Sequence, residues 1–500
     1  MIDFIAHVAN VQGTPELVRH AAFDETLTFE LASFAGILAA VLLIALIPDH
    51  ILPSSLVLSL LGICDALPAP IARRIKAIEQ KQRERRIYRE RVRAGLDEEE
   101  LQENGGELLY IATHETPRGE TGVQAHFNEL IRYLRDQHIR TKLISSSAPP
   151  PGFRQLAGLA CRTMGLFSRR ASTMTSIFIG EWALARQVRL VLPREGAWRV
   201  YAQCPRSALA ALRSRRNESQ QVVLVVHFNI SQAEEMVNHG WIPRSGWFYR
   251  WVRRKEDQAL LSVDRILFVS KFMQSCLTER LPALVDKPSM VLPNFVHPHA
   301  ESSDGPEGDV ITIGTLEPRK NQQFLLQVLA EAKVRGKAYS LTIVGTGEDE
   351  KNLRALAESL GIEKQVMFTG FIPNASRLLS RFRVYAHASR MENLSISIVE
   401  AMAAGLPILA FPVGGIPELI TEGVTGYFMD AEDAGSSADS LIRILEDEKL
   451  RRSMGAAGRD GWRNQYSTEV IAPQVYRFIR QGEAASEGMH LREAATHGGV

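Results

Sequence analysis

The chain has 500 residues, enough for about two to four domains that each bury a core. A formal charge of +1 gives no general attraction for nucleic acid, and 45% hydrophobic with 7% aromatic residues is ordinary for a globular chain. Cys64, Cys161, Cys204 and Cys276 stand far apart with no C-x-x-C pair, which argues against a zinc knuckle or disulfide framework and fits a reducing compartment.

The first element in chain order is apolar. Residues 31–64, LASFAGILAAVLLIALIPDHILPSSLVLSLLGIC, carry one formal charge, at Asp49, and are split by Pro48 and Pro53. The part before Pro48 approaches the roughly 20 residues of a membrane helix, and the part after Pro53 is too short to cross alone. A single span with the N-terminus outside fits, and so does a re-entrant hairpin that enters and leaves on one side. A buried hairpin of a soluble domain needs a covering surface that nothing nearby offers. The first thirty residues are acidic and the apolar run is too long for a secretory signal. Residues 73–93 follow with ten Lys or Arg against three Glu. Such a run belongs at the cytoplasmic face, by the positive-inside tendency and attraction to anionic headgroups. The expected order is an N-terminal segment 1–72 and then a basic helix and acidic linker at 73–106.

LLYIAT (108–113) reads as a buried parallel strand. The loop HETPRGETG follows, then VQAHFNELIRYLRDQ with Val123, Phe127, Leu130, Ile131 and Leu134 on one stripe, then the strand TKLISS, which completes a βαβ unit. The segment 149–189 is mostly helical in pattern. WRVYAQC, VVLVVHF and RILFVS are further strands, and MVLPNFVHPHAESSDGPEGD (290–309) reads as an interdomain linker. A second series has strands VITIGT, SLTIVGTG, QVMFTGF, VYAHAS, PILAFP and GYFMD, with helices NQQFLLQVLAEAKVRG, EDEKNLRALAESLG and ASRLLSRF between them. The fold class is α/β: two doubly wound Rossmann-like domains facing a cleft, one at 107–298 and one at 299–482. A membrane-associated helical segment precedes them and a poorly ordered tail, 483–500, follows.

Three loops should enter the cleft. In GTLEPRKN (314–321), Arg319 and Lys320 stand beside a helix N-terminus, a natural phosphate site, although a solvated basic turn reads the same. In RMENLSIS (390–397), the N–H groups of Asn393, Leu394 and Ser395 at a helix start could bind a diphosphate, and Glu400 two turns on could accept from a ribose diol. Ser397 and Glu400 equally match a capping box, and Gly405 with Pro407 a plain helix stop. In RGETGVQAH, Gly119 and Gly122 permit close backbone approach, or only a tight turn. His227 ends the strand VVLVVHF, at a sheet edge where ligands bind, and a packed histidine would look alike.

From about 108 to 481 these motifs resemble the family 4 retaining glycosyltransferases of the GT-B fold. Glu392 and Glu400, flanking NLSISIV and followed by AMAAGLPILAFPVGGIPELI, are similar to the family's paired-glutamate motif. GTLEPRKN, VGTGED, MFTGFI, TGVQAHFNEL, FVSKF and VLPNFV resemble others, each in its expected domain. The resemblance implies that Glu400 holds the ribose hydroxyls and Glu392 sits near the donor sugar. It further implies that Arg319 and Lys320 neutralise the departing diphosphate, Gly122 approaches the phosphates and His227 contacts the transferred sugar.

The activity so implied is a retaining, metal-independent hexosyl transfer from a nucleoside-diphosphate sugar to a lipid-linked or envelope polysaccharide acceptor. It would take place at the cell inner membrane with the catalytic domains in the cytoplasm, with no cofactor beyond the donor, no metal and no nucleic acid. No D-x-D carboxylate pair suits a metal, and the Trp- and Arg-rich stretch 227–256 reads as acceptor- or membrane-facing. Thr315 stands where the family often has arginine, and Thr121, Asn393 and Ser395 where it often has glycine. Those departures motivate the alternative of a non-catalytic, nucleotide-binding scaffold subunit of a polysaccharide assembly complex. A dinucleotide oxidoreductase would need G-x-G-x-x-G after the first strand, which neither HETPRGETG nor VGTGED supplies.

Overall fold

The computed structural model describes residues 108–115, 121–146, 153–297 and 306–481. The 1–72 segment with its apolar stretch 31–64, the basic helix and acidic linker 73–106, Gly119, the linker residues 298–305 and the tail 483–500 lie outside the described residues. Among the described residues no helix is long and apolar enough to cross a membrane.

The described residues fall into two compact units. Residues 153–176 belong to the first, where the helix Phe153–Phe167 and the start of the helix Arg169–Val191 are tied by Ser172 Oγ donating to the Cys161 carbonyl at 2.8 Å.

The second unit holds two six-stranded parallel sheets. The first contains β1 (Leu108–Thr113), β2 (Arg140–Ser145), β3 (Trp198–Ala202), β4 (Gln220–Val226), β5 (Arg265–Phe268) and β6 (Ser289–Val291), in the order β2-β1-β3-β4-β5-β6. The second contains β7 (Gly308–Ile313), β8 (Leu341–Val344), β9 (Val366–Gly370), β10 (Phe382–His387), β11 (Ile408–Ala410) and β12 (Gly426–Phe428), in the order β12-β11-β10-β7-β8-β9. Strands buried on both faces read as continuous apolar runs, as in the fully buried VVLVV of β4. Each sheet reverses its winding once, between β1 and β3 and between β7 and β10. Loops leaving the carboxyl ends of strands at such points form ligand crevices.

Two expectations need correction. Residues 290–291, read as the start of the linker, belong to β6, which pairs with β5 and sets Leu267 opposite Met290. The four residues between Pro288 and Pro293 are too few to show a period. ASRLLSRF is a 3₁₀ segment, Ala375–Arg381, rather than an α-helix, entered through Asn374 at φ 53°.

The last helix, Thr468–Arg480, crosses back to the first sheet and packs against the helix Gly122–Asp136 and β3. Its Ala472, Val475, Phe478 and Ile479 share one buried cluster with Leu109, Ile111, Phe127 and Tyr201. The Arg265 guanidinium donates to the Ile479 carbonyl at 3.4 Å, and Trp462 Nε1 donates to the Val296 carbonyl at 3.3 Å.

Candidate functional site

The loops after β7 and β10 meet at the second sheet's reversal. The β7 loop is set by close backbone contact. A Cβ on Gly345, at φ 141°, would lie 1.9 Å from the Gly314 carbonyl oxygen, and one on Gly347 would lie 2.1 Å from that of Leu316. Thr315 is exposed there, its carbonyl accepting from Gln322 Nε2 at 2.9 Å. Arg319 and Lys320 occupy the 3₁₀ turn Pro318–Lys320, and Asn321 at φ 52° turns the chain into the helix Gln322–Val334.

Both cations reach one carboxylate. Lys320 Nζ stands 2.6 Å from Glu392 Oε1, His387 Nε2 3.1 Å and Arg319 Nη1 3.6 Å from the same oxygen. Burial pushes the Glu392 carboxyl up, but Lys320, His387 and Arg319 outweigh it and hold it well below the usual carboxylate range. Burial also lowers His387, more than Glu392 raises it, so this imidazole is neutral and donates to Glu392. Arg319 donates to the Met391 carbonyl at 3.0 Å and to Glu317 at 2.7 Å. Burial raises Glu317 too, yet His239 of the first sheet's domain, 3.3 Å away, and Arg319 bring it down to about 2.

The stretch after Glu392 bridges the two sheets. Asn393 is 3% exposed, and its amide donates to the carbonyls of Val226 at 3.1 Å and Phe228 at 3.0 Å while its Oδ1 accepts from Ser270 Oγ at 2.6 Å. Asn294 Nδ2 donates to the Leu394 carbonyl at 2.8 Å. No acceptor among the described residues takes the N–H groups of Asn393, Leu394 or Ser395. Gly414 and Gly415 lie behind this stretch: a Cβ on either would fall 1.7 Å from the Glu392 carbonyl oxygen or 2.0 Å from that of Asn393. Glu418 of the same segment caps the helix Lys271–Arg280, accepting from the N–H groups of Lys271 at 2.9 Å and Phe272 at 2.8 Å. Asn393→Ala is expected to cost about 2–4 kcal/mol, because it leaves two buried carbonyls and a hydroxyl unpaired. Urea denaturation checks this, and an unchanged midpoint would refute the clamp.

The helix beyond is Ile396–Ala403, capped by Ser395 without a side-chain bond. Ser397 therefore lies inside the helix and the capping-box reading of Glu400 fails. Glu400 is the helix's fifth residue and half-buried. Tyr385 of β10 senses both glutamates: burial above all, with Glu400 and Glu392 adding, pushes its phenol up. On the facing domain, Thr121 and Gln124 form a capping box that starts the helix Gly122–Asp136. A Cβ on Gly122 would lie 3.8 Å from Ile396 Cδ1, so two helix N-termini converge. His227, just past β4, sits between the two residues whose carbonyls Asn393 holds, with its Nε2 3.1 Å from Gln203 Oε1.

Two family models match end to end along this architecture: "Glycosyltransferase Family 4" over residues 121–300 and "Glycosyl transferases group 1" over 297–461. The chain belongs to glycosyltransferase family 4.

An N-acetyl-alpha-D-glucosaminyl L-malate synthase from Bacillus anthracis is 34% identical over 33% of this chain and 43% of its own length. A GDP-mannose-dependent alpha-(1-6)-phosphatidylinositol monomannoside mannosyltransferase from Mycobacterium tuberculosis is 30% identical over 45% and 61%. The chain thus spans about half the length of these curated relatives. The enzyme of that name from Mycolicibacterium smegmatis is 26% identical over 71% and 94%. Among solved structures, a sucrose-phosphate synthase from Thermosynechococcus elongatus superposes with a TM-score of 0.57 at 17% identity, over 76% of this chain and 100% of that one. Anabaena HepE in complex with UDP and glucose gives 0.53 at 17%, over 75% and 100%. These likenesses establish the GT-B fold.

In this family 4 glycosyltransferase the cleft brings together Glu392, Arg319, Lys320, Asn393, Leu394, Ser395, Gly122 and His227, with Glu400 one helical turn further along. Thr315 points outward from its loop. Three of these residues have protein partners that the sequence did not announce. Arg319 and Lys320, expected to face a diphosphate, contact carboxylates, and the Asn393 side chain clamps the two domains. Sequence reading passed over His387, Glu317, His239, Ser270, Asn294 and the paired glycines. Ser270 and Asn294 lie inside FVSKF and VLPNFV, and His387, inside VYAHAS, is the last residue of β10. Their places at strand carboxyl ends were the available signal.

Proposed function

We propose that the chain is a retaining, metal-independent glycosyltransferase that moves a sugar from a nucleoside-diphosphate sugar to a lipid-linked or envelope polysaccharide acceptor at the cytoplasmic face of the cell inner membrane. The observation that carries the reading is the convergence of two helix N-termini, at Gly122 and Ile396, on a stretch of unclaimed N–H groups beside Arg319 and Lys320. Such a place favours an anion through partial positive charge and oriented donors. An arriving diphosphate would compete with Glu392 and Glu317 for the two cations and keep them as the sugar–phosphate bond breaks, which stabilises the leaving group in place. Glu392, ionised and nearly enclosed, would then face the sugar and Glu400 the ribose. No enzyme adduct is needed: the acceptor hydroxyl attacks from the side the diphosphate leaves and gives its proton to the departing phosphate oxygen, which retains the anomeric configuration.

The membrane assignment rests on the apolar stretch 31–64 and the basic run 73–93, and is in keeping with relatives named for phosphatidylinositol monomannoside. The helix Trp247–Ser262 adds an aromatic surface, with Trp247 and Trp251 against Phe178, and Trp241 is 46% exposed nearby in sequence.

Thermal-shift binding of UDP, GDP, ADP and NAD tests the reading. One nucleoside diphosphate should stabilise the full chain, by about 2.7 kcal/mol at a hundredfold excess over its Kd. Glu400→Ala should remove that shift. Stabilisation by NAD alone, or by none of the four, would overturn the proposal.

A further inference from the structure

At the first sheet's reversal, the chain runs on from β3 into Gln203, whose backbone N–H donates to the Ala112 carbonyl at 2.9 Å and so fixes it between β1 and β3. Its side chain, 2% exposed, crosses to the end of β4, where Oε1 lies 3.1 Å from His227 Nε2. The amide nitrogen at the other end is buried and has no acceptor among the described residues. His126, from the helix whose first residue is Gly122, packs edge-on against His227 with ring centroids 4.6 Å apart. The outer nitrogen of His126 is held 2.8 Å from Tyr201 Oη. Burial lowers both imidazoles, His126 to about 4 and His227 well below its usual value with His126 adding to the effect, so both are neutral.

A neutral imidazole has one donor nitrogen and one acceptor nitrogen, and the partner of one decides what the other offers. An amide oxygen only accepts. With Oε1 on the ring, the hydrogen is on His227 Nε2 and Nδ1 presents a lone pair. A buried donor left unpaired is costly, and Gln203 holds one beside that histidine.

We propose that Gln203 is a positioning residue: its amide oxygen locks His227 in the Nε2–H tautomer, so that Nδ1 accepts from a hydroxyl of the transferred sugar, and its spare amide N–H offers a second hydrogen bond to the same sugar. The sugar contact rests on the transferase reading above, whereas the tautomer does not.

Two measurements on the full chain separate them. In protein labelled with ¹⁵N-histidine, with the His227 signal identified through His227→Asn, the wild type should show the Nε2–H form. Gln203→Met, similar in volume but unable to hydrogen-bond, should show a mixture. A wild-type Nδ1–H form, or no change in the variant, overturns the proposal. In the second measurement, calorimetry compares UDP with UDP-glucose and GDP with GDP-mannose. Gln203→Met should weaken the sugar nucleotide about tenfold and leave its parent diphosphate unchanged. Equal loss for both, or loss for neither, overturns the sugar contact. A wild type that binds none of the four refutes the transferase reading and the sugar contact with it, and the tautomer still decides whether Gln203 sets His227.

Discussion

Glu392→Gln should lower sugar transfer by about 10²–10³-fold, the scale seen when one electrostatic contact of a transition state is removed, while the protein still folds. Glutamine keeps a hydrogen-bond acceptor for Lys320 and His387 but not the charge that balances Lys320 and Arg319. Glu392→Ala removes both, and breaking a buried pair from one side costs about 3–5 kcal/mol. The pH dependence has a definite sign. The folded carboxyl is held below its unfolded value of about 4.3, so its stabilising contribution is complete above that value and disappears as pH falls through the folded one. The stability gap between wild type and Glu392→Gln should therefore be flat at neutral pH and close in acid. Denaturant midpoints from neutral pH down to about pH 3 measure it, and a gap that widens on acidification would show that Glu392 is not the charged partner.

Gly414→Ala should cost about 100-fold in transfer, the penalty for misplacing reacting groups by about 1 Å. The residue stands at φ 58°, and its added Cβ would fall 1.7 Å from the Glu392 carbonyl oxygen. Backbone cannot yield as a flexible side chain does, so Glu392 and Asn393 must move together. Gly423 supplies the control. It has φ 74° with nothing within 4 Å of a built Cβ. Gly423→Ala pays only the left-handed strain of about 1–2 kcal/mol and should keep its activity. Equal activity in the two variants would mean that Gly414 does not set the position of Glu392.

Much of this architecture is legible in the sequence because parallel strands covered on both faces must be apolar throughout. β1 and β4 stand out as such runs, and the loops at the carboxyl ends of the strands carry most of the candidate residues. What escaped depends on contacts distant in the chain. Ser397 and Glu400 have capping-box spacing, yet the helix begins at Ile396 with Ser395 as its cap, just after the place where Ser270 from the other domain holds the Asn393 side chain and Asn294 holds the Leu394 carbonyl. Asn393 was read for its N–H, and no local pattern reveals that its amide reaches Val226 and Phe228. Arg319 and Lys320 were read as free cations, and the carboxylates that hold them come from their own loop and from the β10 loop. β6 is too short to announce itself.

The helix Thr468–Arg480 has a consequence for how the protein is made. During synthesis, β1 and the helix Gly122–Asp136 emerge early, but Val475, Phe478 and Ile479, which complete their cover, arrive after both sheets have been translated. Until then the first half keeps an apolar flank open to solvent, the kind of surface that chaperones hold and that aggregates when left bare. Contacts so distant in sequence slow folding, since the whole chain must close a loop before they form. A nascent chain stopped short of Thr468 would therefore be incomplete in both halves, and the finished unit would be expected to lose its two sheets together rather than in turn.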